Sequence, residues 1–450
     1  MLSYSAKIFL FSLIFLANAN HSFAHASKNI FKTIKHNPNA TKVHGSGLIK
    51  LVFVDAAIDD VAEPIIYKLE SKGTIKPVQF KSGLKKPQEN TFIKYSGYEL
   101  NNKVYINDYK TDNKKFAILE ESTVNDVTGT HKLLVVKVSD GTKDSPTYGY
   151  SDNELREFYS TGSNNMVDFY KEASSNNLNL EVEYYDPILT VNNLCLASED
   201  SPMDNDEYLN AITRLEEDYG SLADVSFVSF VVPDNQTCLA SGLLGVATLG
   251  KESFTLSNGN KLLSANFINS DHVNVSSENE YGLDIRYAVF HELGHNLGMH
   301  HDNAHVCGEE ILSSPCYSLE YGGSHSIMGF SPSYAHPNTT YKEKMGWLSS
   351  SEIQSLSGTS FVEEVDLYPV SSGGTGTKLI KVDRGDGIFY NMEYREAVGY
   401  DGKILPTRTY NNGGFLVYYE DPSITNTILM DSKFKDRRRY MDFLLGDRYI

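Results

Sequence analysis

The stretch HELGHNLGMHH, which begins at His291, constrains this chain more than any other part of its sequence. His291 and His295 lie four residues apart, and this spacing places both imidazole rings on one face of a helix. Gly298 can adopt the left-handed conformation that ends a helix, so the chain can turn back and bring His301 to the same point. Three imidazoles that leave one coordination position open are typical of a catalytic zinc site, and Glu292 is placed to act as its general base.

Two other interpretations of this stretch are weaker. An amphipathic helix could align two histidines by chance, but a chance match that also includes the glycine and the third histidine is rare. A purely structural zinc site would use the same rings, yet it has no need of a carboxylate next to its first ligand. We therefore predict that His291, His295 and His301 bind Zn²⁺ and that Glu292 is catalytic.

These residues resemble the long zinc signature of the metzincin metallopeptidases. The resemblance implies a Met-turn, which places a methionine beneath the metal, and YGGSHSIMG (321 to 329) fits it with Met328 in that position. Together with Asp302, the zinc signature resembles the adamalysin pattern, whereas the Met-turn stretch and YKEKMGWL (341 to 348) are similar to gametolysin-like peptidases. Astacins and serralysins place a zinc-binding tyrosine two residues after the methionine. Phe330 occupies that position here, which disfavours those two branches.

The resemblance implies a zinc-dependent endopeptidase that acts on protein or peptide substrates. In such an enzyme the zinc lowers the pKa of a bound water towards about 7, and Glu292 accepts its proton and later passes it to the leaving amine. Two alternatives stay open at the level of sequence. One is a secreted binding or adhesion protein that keeps the zinc fold without proteolysis, against which the intact Glu292 argues. The other is a zinc hydrolase of non-peptide amides.

The first residues predict export from the cell. Lys7 precedes an apolar run over residues 8–16, and small residues follow at Ala24 and Ala26. This pattern predicts a secretory signal peptide over residues 1–26 and an extracellular protein, with an uncleaved anchor as the alternative. No later apolar stretch is long enough to span a membrane. The formal net charge of −18 argues against nucleic acid or an anionic membrane as the main partner.

The four cysteines are Cys195, Cys238, Cys307 and Cys316. An even number of cysteines in a secreted chain favours disulfides, and sequence proximity favours Cys307–Cys316, which leaves Cys195–Cys238. The alternative is that a cysteine binds zinc, although three histidines already fill that role. Between the signal peptide and Cys195 the sequence has no cysteine, so no propeptide thiolate is available to cap the zinc.

A chain of 450 residues is long enough for two or three domains. Alternating apolar runs predict a β-rich region over residues 27–127, which is either a small domain or, by its position, a propeptide. Residues 128–350 are assigned to the catalytic domain, and residues 351–450 to an all-β domain, predicted as a sandwich. The predicted fold class is thus an α/β (α+β) metzincin-type catalytic domain with a mixed, mostly parallel sheet, flanked by β-rich N-terminal and C-terminal domains.

Strands and helices alternate in the first half of the predicted catalytic domain, which implies a mostly parallel sheet covered by helices. The strands are predicted at 133–138, 178–184 and 225–232, the helices at 152–173 and 204–219, and the active-site helix at 283–297. The family resemblance suggests Gly245 to Ala247 as an edge strand that pairs with substrate, with an ordinary strand as the alternative. His300 is out of register with the ligands and is predicted at the surface. Asp302 is predicted either to orient the turn or a ligand histidine through a hydrogen bond, or to be a simple turn carboxylate.

Overall fold

Twenty strands and five α-helices are present among the residues that the computed structural model describes. Those residues are 6–10, 37–56, 65–71, 74–81, 84, 92–101, 103–111, 127–142, 146–192, 194, 205–233, 243–270, 285–307, 316–319, 321–323, 325–329, 334–357, 363–371, 373–403, 413–421 and 427–430. The strands are β1 (Ala6–Leu10), β2 (Thr41–Ala56), β3 (Ile65–Ser71), β4 (Thr74–Phe80), β5 (Phe92–Leu100), β6 (Lys103–Thr111), β7 (Gly129–Ser139), β8 (Leu178–Thr190), β9 (Val225–Val232), β10 (Leu243–Thr248), β11 (Glu252–Leu256), β12 (Gly259–Asn269), β13 (Asp302–Cys307), β14 (Cys316–Leu319), β15 (Ile353–Ser357), β16 (Glu363–Leu367), β17 (Leu379–Asp383), β18 (Phe389–Glu396), β19 (Gly413–Glu420) and β20 (Thr427–Met430). The helices are α1 (Asp152–Arg156), α2 (Met166–Ala173), α3 (Asn205–Tyr219), α4 (Ile285–Asn296) and α5 (Thr339–Lys344).

The larger sheet has eleven strands in the order β3-β4-β6-β5-β2-β10-β12-β9-β7-β8, with β11 attached to β12. Strands β8, β7, β9 and β12 run parallel, whereas β10 is antiparallel to β12. The predicted alternation is present, because α1 and α2 lie between β7 and β8 and α3 lies between β8 and β9. The N-terminal strands pair mainly antiparallel. The sheet as a whole is therefore mixed, and parallel pairing dominates only among β8, β7, β9 and β12.

Both faces of the parallel strands are buried, which is why these strands read as nearly continuous apolar runs. In β7, Leu133 and Val135 point into a core that includes α2 and α4. Leu134, Val136 and Val138 point to the opposite face, where α3 covers them. Alternate side chains of the strand thus pack into two different cores, one on each face of the sheet. Helix α4 packs on only one of these two cores.

The predicted helix over residues 152–173 is interrupted. Helix α1 starts at a capping box in which Ser151 and Glu154 exchange hydrogen bonds, and a π-helical segment, Glu157–Thr161, follows it. Gly162 is extended, and a Cβ at this position would lie 2.7 Å from the Glu157 carbonyl oxygen. Asn165 then caps α2. The interruption lets α2 pack closely on α4, where the Tyr170 hydroxyl donates to the Phe290 carbonyl at 2.6 Å.

The C-terminal end of α4 is clamped to the sheet by a buried amide. The side-chain nitrogen of Asn296 donates to the main-chain carbonyls of Thr248 (3.0 Å) and Ala265 (2.9 Å), and its oxygen accepts from Asn266 at 2.7 Å. The Gly250 amide also donates to the His295 carbonyl at 2.8 Å. The bonds from Asn296 join α4 to both β10 and β12, so the helix is fixed in translation and rotation relative to the strands.

The N-terminal strands continue the catalytic sheet. Strand β2 pairs antiparallel with β10, with Asp55 opposite Gly245, Val54 opposite Val246 and Phe53 opposite Ala247. The prediction that Gly245 to Ala247 form an edge strand is therefore wrong for this structure, because β10 lies between β12 and β2. Strands β2 to β6 pack on a separate small core, to which Leu249 contributes from just beyond β10.

Strand β1, which falls within the predicted signal peptide, pairs antiparallel with β16. Residues 11–26 lie outside the described part of the chain, so the signal peptide stays a prediction. Among the described residues, no helix combines the length and the apolar character needed to cross a bilayer.

The second sheet has seven strands in the order β14-β13-β20-β19-β18-β17-β15. Its strands β13 and β14 come before residue 350, where the sequence placed the boundary of the C-terminal domain. Of the two layers expected for the predicted sandwich, only the seven-stranded sheet is extensive. The second layer among the described residues is the β1–β16 pair, which packs on that sheet through Val365 and Leu367. The C-terminal sheet is therefore built on a strand that starts immediately after His301.

A buried group of charged residues joins this sheet to the catalytic part. Arg395 in β18 donates to Glu393 (2.6 Å) and to Asp401 (3.1 Å), and it also reaches the carbonyl of His336 (3.1 Å). The Asp401 carboxylate in turn accepts from the His336 amide at 2.8 Å. Because each buried charge has an opposite charge or a main-chain partner, the junction avoids the cost of isolated buried ions.

Acidification should weaken this junction through His336. Burial, reinforced by the nearby Lys342 charge, lowers the pKa of His336 from 6.5 to about 4. Between those pH values the unfolded chain binds a proton that the folded chain does not, so the folded state loses up to about 3 kcal/mol as the pH falls. We expect urea unfolding of the chelator-treated protein to show this loss between pH 6.5 and 4. A His336→Asn protein should lose correspondingly less, and equal pH slopes for the two proteins would contradict the assignment.

Candidate metal centre and active site

The structure brings the three predicted histidines together. His291 and His295 face one side of α4, Gly298 (φ 99°) turns the chain left-handed, and His301 returns to the same side. One ring nitrogen of each histidine lies within 4.8 Å of the others. All three side chains are buried. This separation suits a single ion placed between the rings, because Zn–N bonds are about 2.0–2.1 Å long.

Main-chain carbonyls fix the orientation of two of these rings. The Nδ1 atom of His291 lies 2.6 Å from the Ile327 carbonyl oxygen, and that of His295 lies 2.7 Å from the Met299 carbonyl oxygen. A carbonyl oxygen can only accept, so Nδ1 carries the proton in both rings and Nε2 carries the lone pair. Neutral imidazoles held in this way are the usual nitrogen ligands of zinc, and the donor set therefore fits that metal.

Glu292 lies next to the first histidine and is fully buried. Strand β10 passes directly over it, and a Cβ on Gly245 would lie only 2.4 Å from the Glu292 Oε1 atom. Only glycine leaves room for this carboxylate beneath the strand. The predicted catalytic carboxylate and strand β10 are consequently adjacent.

The predicted Met-turn lies under the histidines. Met328 is fully buried, and its Sδ atom is so close to α4 that a Cβ on Gly294 would lie 2.2 Å from it. The turn is closed by a hydrogen bond from the Gly329 amide to the Ser326 carbonyl, 2.9 Å, and Tyr287 of α4 donates to the Gly329 carbonyl at 2.7 Å. Phe330 lies outside the described residues.

The sequence placed one residue near the centre wrongly and left two others, His325 and Tyr321, without a position. His300 was predicted at the surface but is buried, because the turn at Gly298 folds the chain back under the helix. His325 is also buried, and its pKa is lowered to about 4 by burial and by the charge of Arg395, so it belongs to the junction with the C-terminal sheet. The ring of Tyr321 lies 4.1 Å from that of His301, centroid to centroid. Only the positive φ of Tyr321 marks it as unusual, and a sequence does not reveal backbone angles.

The structure places the predicted cysteines only in part. Cys195 and Cys238 lie outside the described residues. Cys307 and Cys316 stand directly opposite each other in the antiparallel ladder of β13 and β14. The disulfide between them stays a prediction.

Three converging imidazoles from a helix and the turn that follows it, a buried carboxylate beside them and an antiparallel strand above form a centre suited to metal-assisted hydrolysis. Residues 147–341 match the family model described as Metallo-peptidase family M12. The match and the histidine cluster together support the assignment of this segment to the metzincin-type zinc metallopeptidases. The match does not single out a gametolysin-like subtype. No curated protein matches the chain.

Alanine at position 294 tests the packing under the metal centre. Its Cβ would overlap Met328 Sδ and approach the Tyr170 hydroxyl to 3.1 Å. Overpacking of this kind costs about 1–3 kcal/mol, which exceeds the gain of at most about 1 kcal/mol from replacing a helical glycine. We expect Gly294→Ala to lower the free energy of unfolding in urea. Gly373→Ala is the matched control, since a Cβ there meets no atom within 4 Å; equal stability of the two variants would argue against the close packing.

Proposed function

We propose that this chain is a secreted zinc endopeptidase whose metal ligands are His291, His295 and His301 and whose general base is Glu292. The observation that supports this most strongly is the convergence of the three ring nitrogens within 4.8 Å, next to a buried glutamate that lies beneath strand β10. The coarser assignment, a metallopeptidase, rests on the family match. The finer proposal adds the ligand set, the base and the mode of substrate binding.

His291, His295 and His301 would hold the zinc ion, which would supply Lewis acidity and make a water at this point more acidic. Glu292 is placed beside the first ligand, where its carboxylate accepts a proton and then donates it to the leaving amine. When β2 is not paired with it, the outer edge of β10 would present main-chain amides and carbonyls to an extended peptide. Such an edge requires neither terminus of the substrate, which is why we propose cleavage within chains. The burial of the site excludes bulk water, and this strengthens the electrostatic interactions within it.

Replacing the base should separate catalysis from metal binding. Glu292→Gln keeps the shape of the side chain but cannot accept a proton, so we expect casein hydrolysis to fall at least about a hundredfold. The zinc content, measured by atomic absorption, should stay at that of the wild type. Glu216→Gln is the matched control, because Glu216 is buried on α3 and accepts hydrogen bonds from Ser257 and Asn258, away from the metal centre. Unimpaired proteolysis by Glu292→Gln would disprove the role of the base and would revive the binding-protein alternative.

We further propose that the N-terminal region, residues 27–127, keeps the enzyme latent. Strand β2 pairs with β10 along residues 52–56, and it takes the edge that an incoming peptide would use. A strand tethered in the same chain competes at an effective concentration on the order of millimolar, which exceeds ordinary substrate concentrations. This mode of latency needs no cysteine, in agreement with the absence of one from residues 27–127.

Cleavage between β6 and β7 tests this latency. A site for a specific protease, introduced within residues 112–126, allows the chain to fold intact before it is cut. We expect cutting, followed by removal of the N-terminal fragment, to raise casein hydrolysis at least about tenfold, because β10 is then released from its intramolecular partner. A synthetic peptide of residues 48–56 should inhibit the cut enzyme again. Full activity of the intact chain, with no gain on cutting, would refute the proposal.

Secretion is proposed on the basis of the N-terminal sequence and the facing cysteines of β13 and β14. A Cys307–Cys316 disulfide would join two neighbouring strands of the C-terminal sheet, and such bonds persist in oxidising compartments. The gametolysin-like subtype is likewise a proposal, supported by the residues around the Met-turn and by the sequence YKEKMGWL.

A further inference from the structure

The residue that follows the third histidine lies in the C-terminal sheet. Asp302 is the first residue of β13, and β13 pairs in parallel with β20, so that Asp302 is opposite Thr427. The segment that matches the peptidase family ends at residue 341. Thr427 therefore lies outside the recognised peptidase segment and yet adjoins the neighbour of a proposed zinc ligand.

The Asp302 carboxylate is held from two sides. Its Oδ1 atom accepts a hydrogen bond from the Thr427 hydroxyl at 2.9 Å, and its Oδ2 atom accepts from the Asn338 amide at 2.9 Å. Asn338 also donates to the Thr427 hydroxyl oxygen at 2.8 Å. All three side chains are almost completely buried. A buried carboxylate requires such donors, and Thr427 is the one that the C-terminal sheet supplies.

The main chain of Asp302 connects these side-chain hydrogen bonds with the residues around the metal centre. Its amide donates to the Met328 carbonyl at 2.8 Å, and its carbonyl accepts from the Gly323 amide at 2.9 Å. A Cβ on Gly323 would lie 2.4 Å from the Asp302 Cγ atom, so the Met-turn segment is packed directly on this side chain. A shift of Asp302 would consequently move both His301 and the turn that supports the metal.

The carbonyl of His301 is held by a second contact to the same region. The Tyr341 hydroxyl donates to it at 3.1 Å, and the Thr427 amide in turn donates to the Tyr341 hydroxyl at 3.4 Å. His291 and His295 are oriented by carbonyls close to them in the catalytic segment. His301 is also held through its main chain, by the Tyr341 contact to its carbonyl and by the contacts of Asp302, and both sets of contacts lead to Thr427.

From these contacts we propose that Thr427 is a positioning residue for the zinc ligand His301, acting through the carboxylate of Asp302. The inference rests on the proposed zinc site and extends it into the C-terminal sheet. The sheet is then part of the peptidase unit, because it sets the direction of one ligand. Removal of partners that orient ligands typically costs 10–100-fold in metal affinity or activity.

The test compares Thr427→Val with Thr427→Ser. Valine keeps the shape of the side chain and removes both hydrogen bonds, whereas serine keeps the hydroxyl. The readout is the dissociation constant for zinc, measured by competition with a chromophoric chelator, together with the visible absorption bands of the cobalt-substituted protein. We expect Thr427→Val to bind zinc about 10–100-fold more weakly and to shift the cobalt bands, and we expect Thr427→Ser to resemble the wild type.

Thr340→Val is the matched control. Thr340 is equally buried, and its hydroxyl accepts from the Asn391 side chain at 2.8 Å, away from Asp302. This substitution should leave zinc affinity and the cobalt spectrum unchanged, which separates positioning of the ligand from general stability. Wild-type zinc affinity in Thr427→Val would overturn the positioning role alone. A wild-type protein that binds no zinc would overturn both this role and the proposed function.

Discussion

Three histidine rings have to converge on one point to hold a single ion, and in this protein main-chain groups from several segments position them. The carbonyls of Ile327 and Met299 orient the two rings on α4, and each carbonyl belongs to a loop that follows the helix. The amide clamp of Asn296 fixes the helix itself to the sheet. The geometry of the centre thus depends on tertiary contacts as much as on the four-residue spacing. A helix alone positions only two of the three histidine rings, those of His291 and His295.

Strand β10 connects the metal centre with the N-terminal strands. One of its faces covers Glu292, and this close approach is possible because residue 245 is glycine. Its outer edge carries β2, which prolongs the same hydrogen-bonded ladder. A strand edge can pair with only one partner at a time, since each amide and carbonyl along it is used once. While β2 is paired with β10, the outer edge of β10 is therefore not accessible to a peptide substrate.

The sequence predicted those helices and strands whose position depends on a local pattern of residues. The zinc-signature helix was expected at 283–297 and spans Ile285–Asn296, and the apolar run at 225–232 coincides with β9. Contacts between distant segments could not be predicted in this way. Thr427 belongs to no motif, and its contact with Asp302 spans 125 residues. The burial of His300 also depends on where the turn at Gly298 directs the chain, and a helical register does not specify that. Domain boundaries inferred from composition likewise do not show that β13, which precedes the predicted boundary at residue 350, pairs with β20, which follows it.

The parallel pairing of β13 with β20 has a consequence for the order of events during synthesis. A ribosome adds about 5–20 residues per second, so roughly 6–25 seconds separate the appearance of Asp302 from that of Thr427, 125 positions later. Throughout that interval the nascent polypeptide already contains all three histidines, but the strand that anchors the last of them does not yet exist. The pairing of β13 with β20, and with it the proposed anchoring of His301, therefore has to wait until β20 has been synthesised.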